Sequence, residues 1–458
     1  MTNLKSVLKT SVPIVVDLGA QIVMWTIETT LVGHIAVDSM KRFYPGLNAS
    51  GVDALTAVGN VVQIILYTCT ILLIFVFGAT IIVNKLLGEK KIKEANHFLG
   101  QALSTALIPS FLIAIIWYFG TPFIFSTILG ATEAVTAIGI DYFRLISFFA
   151  PLIVMNFVAI GIVRGAGDTH LSMITGLLVN GIHLVLAVML IFGHYFFPEL
   201  GVRGAALAAG IGHTVGCILT YSVILRGQSV LTFTWSDFTS FNGKSISKII
   251  KTGIPITLEQ LAWMTGMTIV IGFSNRLGTV AAAAQIVIIT YQRLFSILYQ
   301  AFGIGTLTLV GQLYGADKHE SARDTSRTFF WFAASVVLII SAVIFFRSRD
   351  LAMIFTRDEK VINLCSSVFK IAAVVQLPKV LSFVYSFSLR GVGENKYPMY
   401  LAFIGVLFFE VILGYTLAFV FSLSLMGLWL AAFADETFKV FMAKRRFHKR
   451  IADLQNGK

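Results

Sequence analysis

Residues 305–322 read GTLTLVGQLYGADKHESA: the end of an apolar run, a glycine, then a charged loop. Residues 78–95 read GATIIVNKLLGEKKIKEA, and the two align without a gap at an offset of 227 (305 − 78). Gly78/Gly305, Val83/Val310, Leu86/Leu313, Gly88/Gly315, Lys91/Lys318 and Ala95/Ala322 are identical pairs. A self-match half a chain apart marks a duplicated unit, and it precedes any guess at fold. The reading expects an architectural stretch in which glycine ends a helix and the lysines fix its orientation.

Other stretches repeat in the same order. Arg164-Gly-Ala-Gly-Asp168-Thr169 is answered by Arg390-Gly-Val-Gly-Glu394-Asn395, and Gly204-Ala-Ala-Leu-Ala-Ala209 by Gly427-Leu-Trp-Leu-Ala-Ala432. Pro13-Ile-Val-Val-Asp17 pairs with Pro255-Ile-Thr-Leu-Glu259, so each half carries an acid four residues after a proline.

The chain has 458 residues, 57% hydrophobic and only 13% charged, with a mean hydropathy of +0.84. Soluble domains carry roughly a quarter charged residues. Apolar runs of about 20 residues, enough to cross a bilayer, recur along the whole length, without the alternation of a β-barrel. They fall near 12–34, 54–87, 98–119, 138–163, 171–192 and 204–225, then 249–273, 279–314, 328–346, 361–389, 399–421 and 425–441. The expectation is an all-α polytopic membrane protein of about twelve helices. Residues 1–226 form an N-terminal six-helix lobe, 227–248 a cytoplasmic linker and 249–458 a C-terminal lobe. Six is even, so both halves enter the membrane in the same direction and the repeats are parallel.

The net charge of +12 sits mainly in short loops and in the tail KRRFHKR at 444–450, which is positive-inside patterning and no sign of a nucleic-acid partner. It places both termini on the cytoplasmic side; Arg347, Arg349, Arg357 and Lys360, in a loop expected outside, run against it. The N-terminal run matches its copy in the second half and reads as a first span, not a cleaved signal. Cys69, Cys217 and Cys365 stand apart in apolar segments and have neither metal-ligand nor disulfide spacing. RGAGDT and RGVGEN lack the Walker lysine and read as tight interhelical turns. No nucleophile–base pair, HExxH or set of metal-spaced acids is present, so no enzyme is expected.

Pro255 with Glu259-Gln260, the run Leu277-Gly-Thr-Val-Ala-Ala-Ala-Ala-Gln285-Ile286, Val310-Gly-Gln-Leu-Tyr-Gly-Ala316, RGAGDT at 164–169 and GVRGAALAA at 201–209 resemble the multidrug and toxic compound extrusion (MATE) family, over nearly the whole chain. The resemblance implies a V-shaped pair of six-helix lobes. It further implies secondary active export of small amphipathic, often cationic compounds from a cell membrane, plasma or inner, in exchange for H⁺ or Na⁺ with no other cofactor. The chain is expected to work as a monomer in the lipid bilayer. Related lipid-linked oligosaccharide flippases keep a second reading open, and Arg293 and Lys379 are its hints, since a pyrophosphate needs a cationic cavity.

Ionisable residues inside a membrane are functional candidates because burying a charge there costs several kcal/mol or more. Glu28 aligns with the acid of the first helix on which the family relies for cation coupling, usually an aspartate. Asp17 stands eleven residues earlier, three turns away on nearly the same face; it either exchanges protons with Glu28 or pairs with a base. Asn180 matches a polar position of the family's N-lobe cation site, where Na⁺ would sit near Glu28. His183 follows one turn later, as a relay or a packing residue, and Asn156 is a weaker candidate of the same kind. Glu259 is the second-half acid, for coupling or for pairing. Glu410 falls where many relatives have arginine; with Lys379 and Arg293 it forms either a charge-compensated lattice or a coupling site moved into the C-lobe. Glu28 falls opposite Val270 and Glu410 opposite Leu184, so the halves differ in their buried acids.

Overall fold

The structure is a computed structural model and describes residues 4–47 and 49–456. It is all helical, with no strand among the described residues. The first half holds α1 (Leu4–Gly33), a short α2 (Val37–Phe43), α3 (Gly51–Gly88), α4 (Ile92–Phe123) running into a π-helical turn at Ile124–Ile128, α5 (Glu133–Ser147), α6 (Ala150–Gly165), α7 (Thr169–Phe192) and α8 (Val202–Leu225). A one-turn helix α9 (Trp235–Thr239) precedes α10 (Gly243–Arg276), α11 (Thr279–Gly315), α12 (His319–Phe346), the short α13 (Ser348–Met353) and α14 (Glu359–Gly391). The next span is α15 (Lys396–Ile404) continued by π-helical stretches Gly405–Leu413 and Thr416–Val420, and α16 (Ser424–Gln455) closes the chain.

Ten of these helical segments are long and apolar enough to cross a membrane. The bent pair α5–α6, which turns by 67°, makes an eleventh if taken as one span, as the sequence reading takes residues 138–163. The break has a local cause. Proline has no N–H to give the carbonyl four residues back and its ring clashes with it; α5 stops at Ser147, four residues before Pro151, which sits in the first turn of α6. The expected twelfth span lies in α16, a 32-residue helix whose apolar run is interrupted by Asp435, Glu436 and Lys439. The sequence reading passes over these three charges.

The chain divides into two compact units: Val16–Val83 with Ile92–Ile250, and Met1–Val15 with Asn84–Lys91 and Lys251–Lys458. The first packs around Trp117, Phe125, Ile138 and Phe143, the second around Phe295, Tyr299, Phe329 and Phe369. Ring pairs lock each: Trp117 and Phe143 lie 5.4 Å apart, Tyr291 and Phe369 5.0 Å.

The repeated stretch ends its helices where the sequence reading expects: Gly88 and Gly315 are the last residues of α3 and α11, and the left-handed turn falls two residues later, on Lys90 (φ 61°) and Asp317 (φ 55°). The glycines also serve a close approach. A Cβ on Gly88 would overlap the carbonyl oxygen of Gln312, and one on Gly315 the carbonyl oxygen of Lys85. Asn84 and Gln312 are joined by an amide hydrogen bond of 3.4 Å, and the Lys85 ammonium lies 5.6 Å from the Tyr314 ring centre. All of these residues belong to the unit containing Asn84–Lys91 and Lys251–Lys458.

The polar linker is tied down rather than loose. Thr234 and Asp237 form a reciprocal capping box on α9. The side chain of Asn96 on α4 donates to Thr232 Oγ1 at 2.8 Å and accepts from its backbone N–H at 3.0 Å. The Gln101 amide donates to the Asp237 carbonyl at 2.9 Å and accepts from the Asn242 N–H at 2.8 Å.

Candidate functional site

Two acid–arginine pairs come first, because they repeat. Asp17 on α1 accepts from Arg164 at 3.1 Å and from the Ser172 hydroxyl. Glu259 on α10 lies 2.7 Å from the Arg390 guanidinium at the end of α14. The Pro-x-x-x-acid repeat thus meets the Arg-Gly-x-Gly repeat in each half. Asp168 and Glu394, one turn on, do other work: Asp168 caps α7 through the Leu171 N–H at 3.3 Å, and Glu394 takes Arg446 at 2.7 Å. The structure gives Asp17 a base of its own. Along a continuous helix, eleven residues put it about 16 Å from Glu28, beyond direct proton transfer.

Glu28 has a different setting. It is 2% exposed on α1. The Tyr142 hydroxyl of α5 donates to its Oε1 at 3.0 Å, and His183 Nε2 of α7 stands 3.5 Å from the same oxygen. Tyr142 reaches it because α5 is amphipathic and turns Val135, Ile138, Tyr142 and Ile146 inward. His183 is 4% exposed, and its Nε2 has no hydrogen-bond partner. His213 on α8 is near enough to His183 for their charges to interact. Asn156 accepts from the Thr220 hydroxyl at 3.1 Å. Asn180 is half-buried one turn before His183 and makes no side-chain hydrogen bond among the described residues.

The second half has a larger cluster. Lys379 on α14 lies 3.8 Å from Glu436 on α16, which also accepts from Ser382 at 2.6 Å. Lys439 pairs with Asp435 one turn before it. Glu410, in the π-helical stretch Gly405–Leu413, is acted on by Lys439, Lys379 and Glu436 but joins neither pair. Arg293, grouped with these by the sequence reading, is exposed on α11 and stands outside the cluster.

The sequence model of the MatE family matches residues 46–189 and 255–416. The chain belongs to the MatE family. Among curated MatE-type relatives it is 26% identical over 447 residues to a protein named as probable multidrug resistance protein NorM of Thermotoga maritima, with 95% of this chain and 90% of that one covered. It is 23% identical to the uncharacterised transporter YisQ of Bacillus subtilis, over 87% of each. A solved MOP superfamily transporter from Pyrococcus furiosus shares the fold, with a TM-score of 0.87 at 21% identity over 98% of this chain and 96% of that one. MatE proteins are membrane transporters and not enzymes, and the ionisable residues above are therefore read as parts of a transporter.

Sequence reasoning alone misses five participants: Tyr142, His213, Asp435, Glu436 and Lys439. Tyr142 looks like any core aromatic, and only its contact with Glu28 distinguishes it. Asp435, Glu436 and Lys439 carry an available signal, three charges within five residues in the middle of a helix of spanning length.

Proposed function

We propose that this MatE transporter is a secondary active multidrug efflux antiporter. It exports small amphipathic, often cationic compounds from the cell membrane by alternating access, in exchange for H⁺ or Na⁺, as a monomer with both termini cytoplasmic. The single observation that carries the reading is Glu28: a carboxylate 2% exposed, hydrogen-bonded by Tyr142 with His183 Nε2 3.5 Å away, and with no counterpart in the second half.

A carboxylate so buried cannot stay charged and unaccompanied at low cost. It takes up a cation when water is withdrawn and gives it up when water returns. The Tyr142 hydroxyl donates a hydrogen bond to the same carboxylate and fixes its position. Exchange follows if the cation-loaded and substrate-loaded proteins prefer different arrangements, because a ligand moves a conformational equilibrium only by its differential affinity. Asp17 and Glu259 are each paired with an arginine of their own unit.

For the flippase reading, Lys379 is paired with Glu436 and offers no free cationic anchor for a pyrophosphate, which leaves Arg293, exposed on its helix, as its one hint.

The test is efflux of a cationic dye from everted vesicles containing wild-type protein or Glu28→Gln at matched membrane yield. Glu28→Gln is expected to reduce gradient-driven transport to the level of vesicles lacking the protein. Undiminished transport refutes the assignment. Collapsing the pH and Na⁺ gradients separately identifies the coupling ion.

A further inference from the structure

The cluster on α14, α16 and the π-helical stretch Gly405–Leu413 is unbalanced. Asp435, Glu436 and Glu410 face Lys379 and Lys439: three carboxylates against two ammonium groups. Lys379 is spoken for by Glu436, and Lys439 by Asp435. Glu410 is left over. Its Oε2 is buried and has no hydrogen-bond partner, and the same holds for Oδ1 of Asp435, a residue only 1% exposed.

Glycines on the neighbouring helices make room for these oxygens. A Cβ on Gly266 of α10 would overlap Glu410 Oε2, and one on Gly405 would overlap Asp435 Oδ1. Each orphan oxygen therefore lies against a bare stretch of backbone, and the two face different helices. That arrangement does not gather oxygens around a metal ion, and two ammonium groups stand close by. It suits a proton, which neutralises a carboxyl without needing a coordination shell.

The backbone marks the same spot. At the offset of 226, Gly405–Leu413 corresponds to residues 179–187, which are regular α-helix and hold His183. Only the second half widens into a π-helix there, a form that recurs at functional sites. The cluster also sits on equivalent helices: α1, α7 and α8 carry Glu28, His183 and His213, while α10, the π-helical span and α16 carry Gly266, Glu410 and Glu436. Offsets of 226 and 223 place His183 opposite Phe409 and His213 opposite Glu436. One scaffold thus holds two differently built polar centres.

We propose that Glu410 binds and releases one proton of its own, at a site in the second half separate from Glu28, with Lys379 and Lys439 held back from it by Glu436 and Asp435. The charged groups facing it are those four, from α14 and α16; α10 presents Gly266, with Trp263 nearby beneath Lys379. Protonated, the cluster is neutral and can be sealed from water; ionised, it carries one negative charge and must stay hydrated. Its proton state therefore sets how tightly the π-helical span packs on α10 and α16.

The experiment is pH-titrated infrared difference spectroscopy of the full chain in lipid nanodiscs, without substrate or gradient. It therefore stands whatever Glu28→Gln does to transport. In the Glu28→Gln background, the carbonyl stretch of a protonated carboxylic acid should appear as pH falls, and Glu410→Gln added to that background should remove one carboxyl's amplitude. An unchanged band overturns the proposal. Lys379→Met leaves Glu436 without its ammonium and should add about one carboxyl's amplitude; no gain overturns the proposal even if Glu410→Gln fails to assemble. Exchanging K⁺ for Na⁺ at fixed ionic strength should leave the band in place, and its loss in Na⁺ would overturn the assignment to a proton.

Discussion

Replacing Arg390 by glutamine strands Glu259 in a position built for a guanidinium. Arg390 is 5% exposed by side chain and Glu259 20%. Removing one partner of a buried ion pair costs about 3–5 kcal/mol, most of it from the charge left behind. Glu259 keeps some access to water, so the lower end, about 3 kcal/mol, applies. For a unit of roughly 200 residues, 1 kcal/mol moves the melting temperature by about 2–4 °C, which makes the expected loss about 6–12 °C. The double variant Glu259→Gln/Arg390→Gln removes both charges and should recover most of that loss. The assay is thermal unfolding of purified protein in one detergent, read as a double-mutant cycle, with Asp17→Asn and Arg164→Gln as the parallel cycle in the first half. If the double variant falls by the sum of the two singles, the coupling is zero. The pairs then hold nothing together, and both acids return to the list of transport groups.

Two further outcomes follow from packing. Gly88→Ala and Gly315→Ala each drive a methyl group into a carbonyl oxygen and should cost about 1–3 kcal/mol by overpacking, read as lowered melting temperature, whereas Gly19→Ala, with open space around it, should cost nothing measurable. Thr234→Ala removes the capping box of α9 at about 1 kcal/mol and should speed limited proteolysis between residues 226 and 248 without shifting the main unfolding transition; equal cleavage rates would show that the α4 contacts alone hold the linker.

The helical class, the duplication and most spans are legible because bilayer length and period leave a direct imprint on sequence. The α5–α6 bend is legible only in part: Pro151 marks a helix free to bend, but a proline in the first turn of a helix and one in the middle look alike until the break is placed. The Pro-x-x-x-acid and Arg-Gly-x-Gly repeats are each plain in the sequence, but their meeting depends on helix packing and rotation. Glu28 is found by its isolation in an apolar run. Tyr142 is not, because a hydroxyl aimed at a carboxylate and a ring packed in a core use the same residue type. Lys379 and Glu410 are visible as misplaced charges, yet their division into one paired and one unpaired group rests on Asp435, Glu436 and Lys439, about 25–60 residues further along the chain.

The contact between the two copies of the opening stretch has a symmetry worth stating. Gly88 meets Gln312 and Gly315 meets Lys85; subtracting 227 turns Gln312 into Lys85 and Gly315 into Gly88. Residue i of one copy touches residue j of the other, and j touches i, which is the defining pattern of an isologous interface between identical subunits. A single chain here carries a contact with the form of a homodimer's. Any substitution in one copy therefore meets an unchanged partner, so the two halves can drift apart in their buried acids while each glycine continues to answer to the backbone of the other.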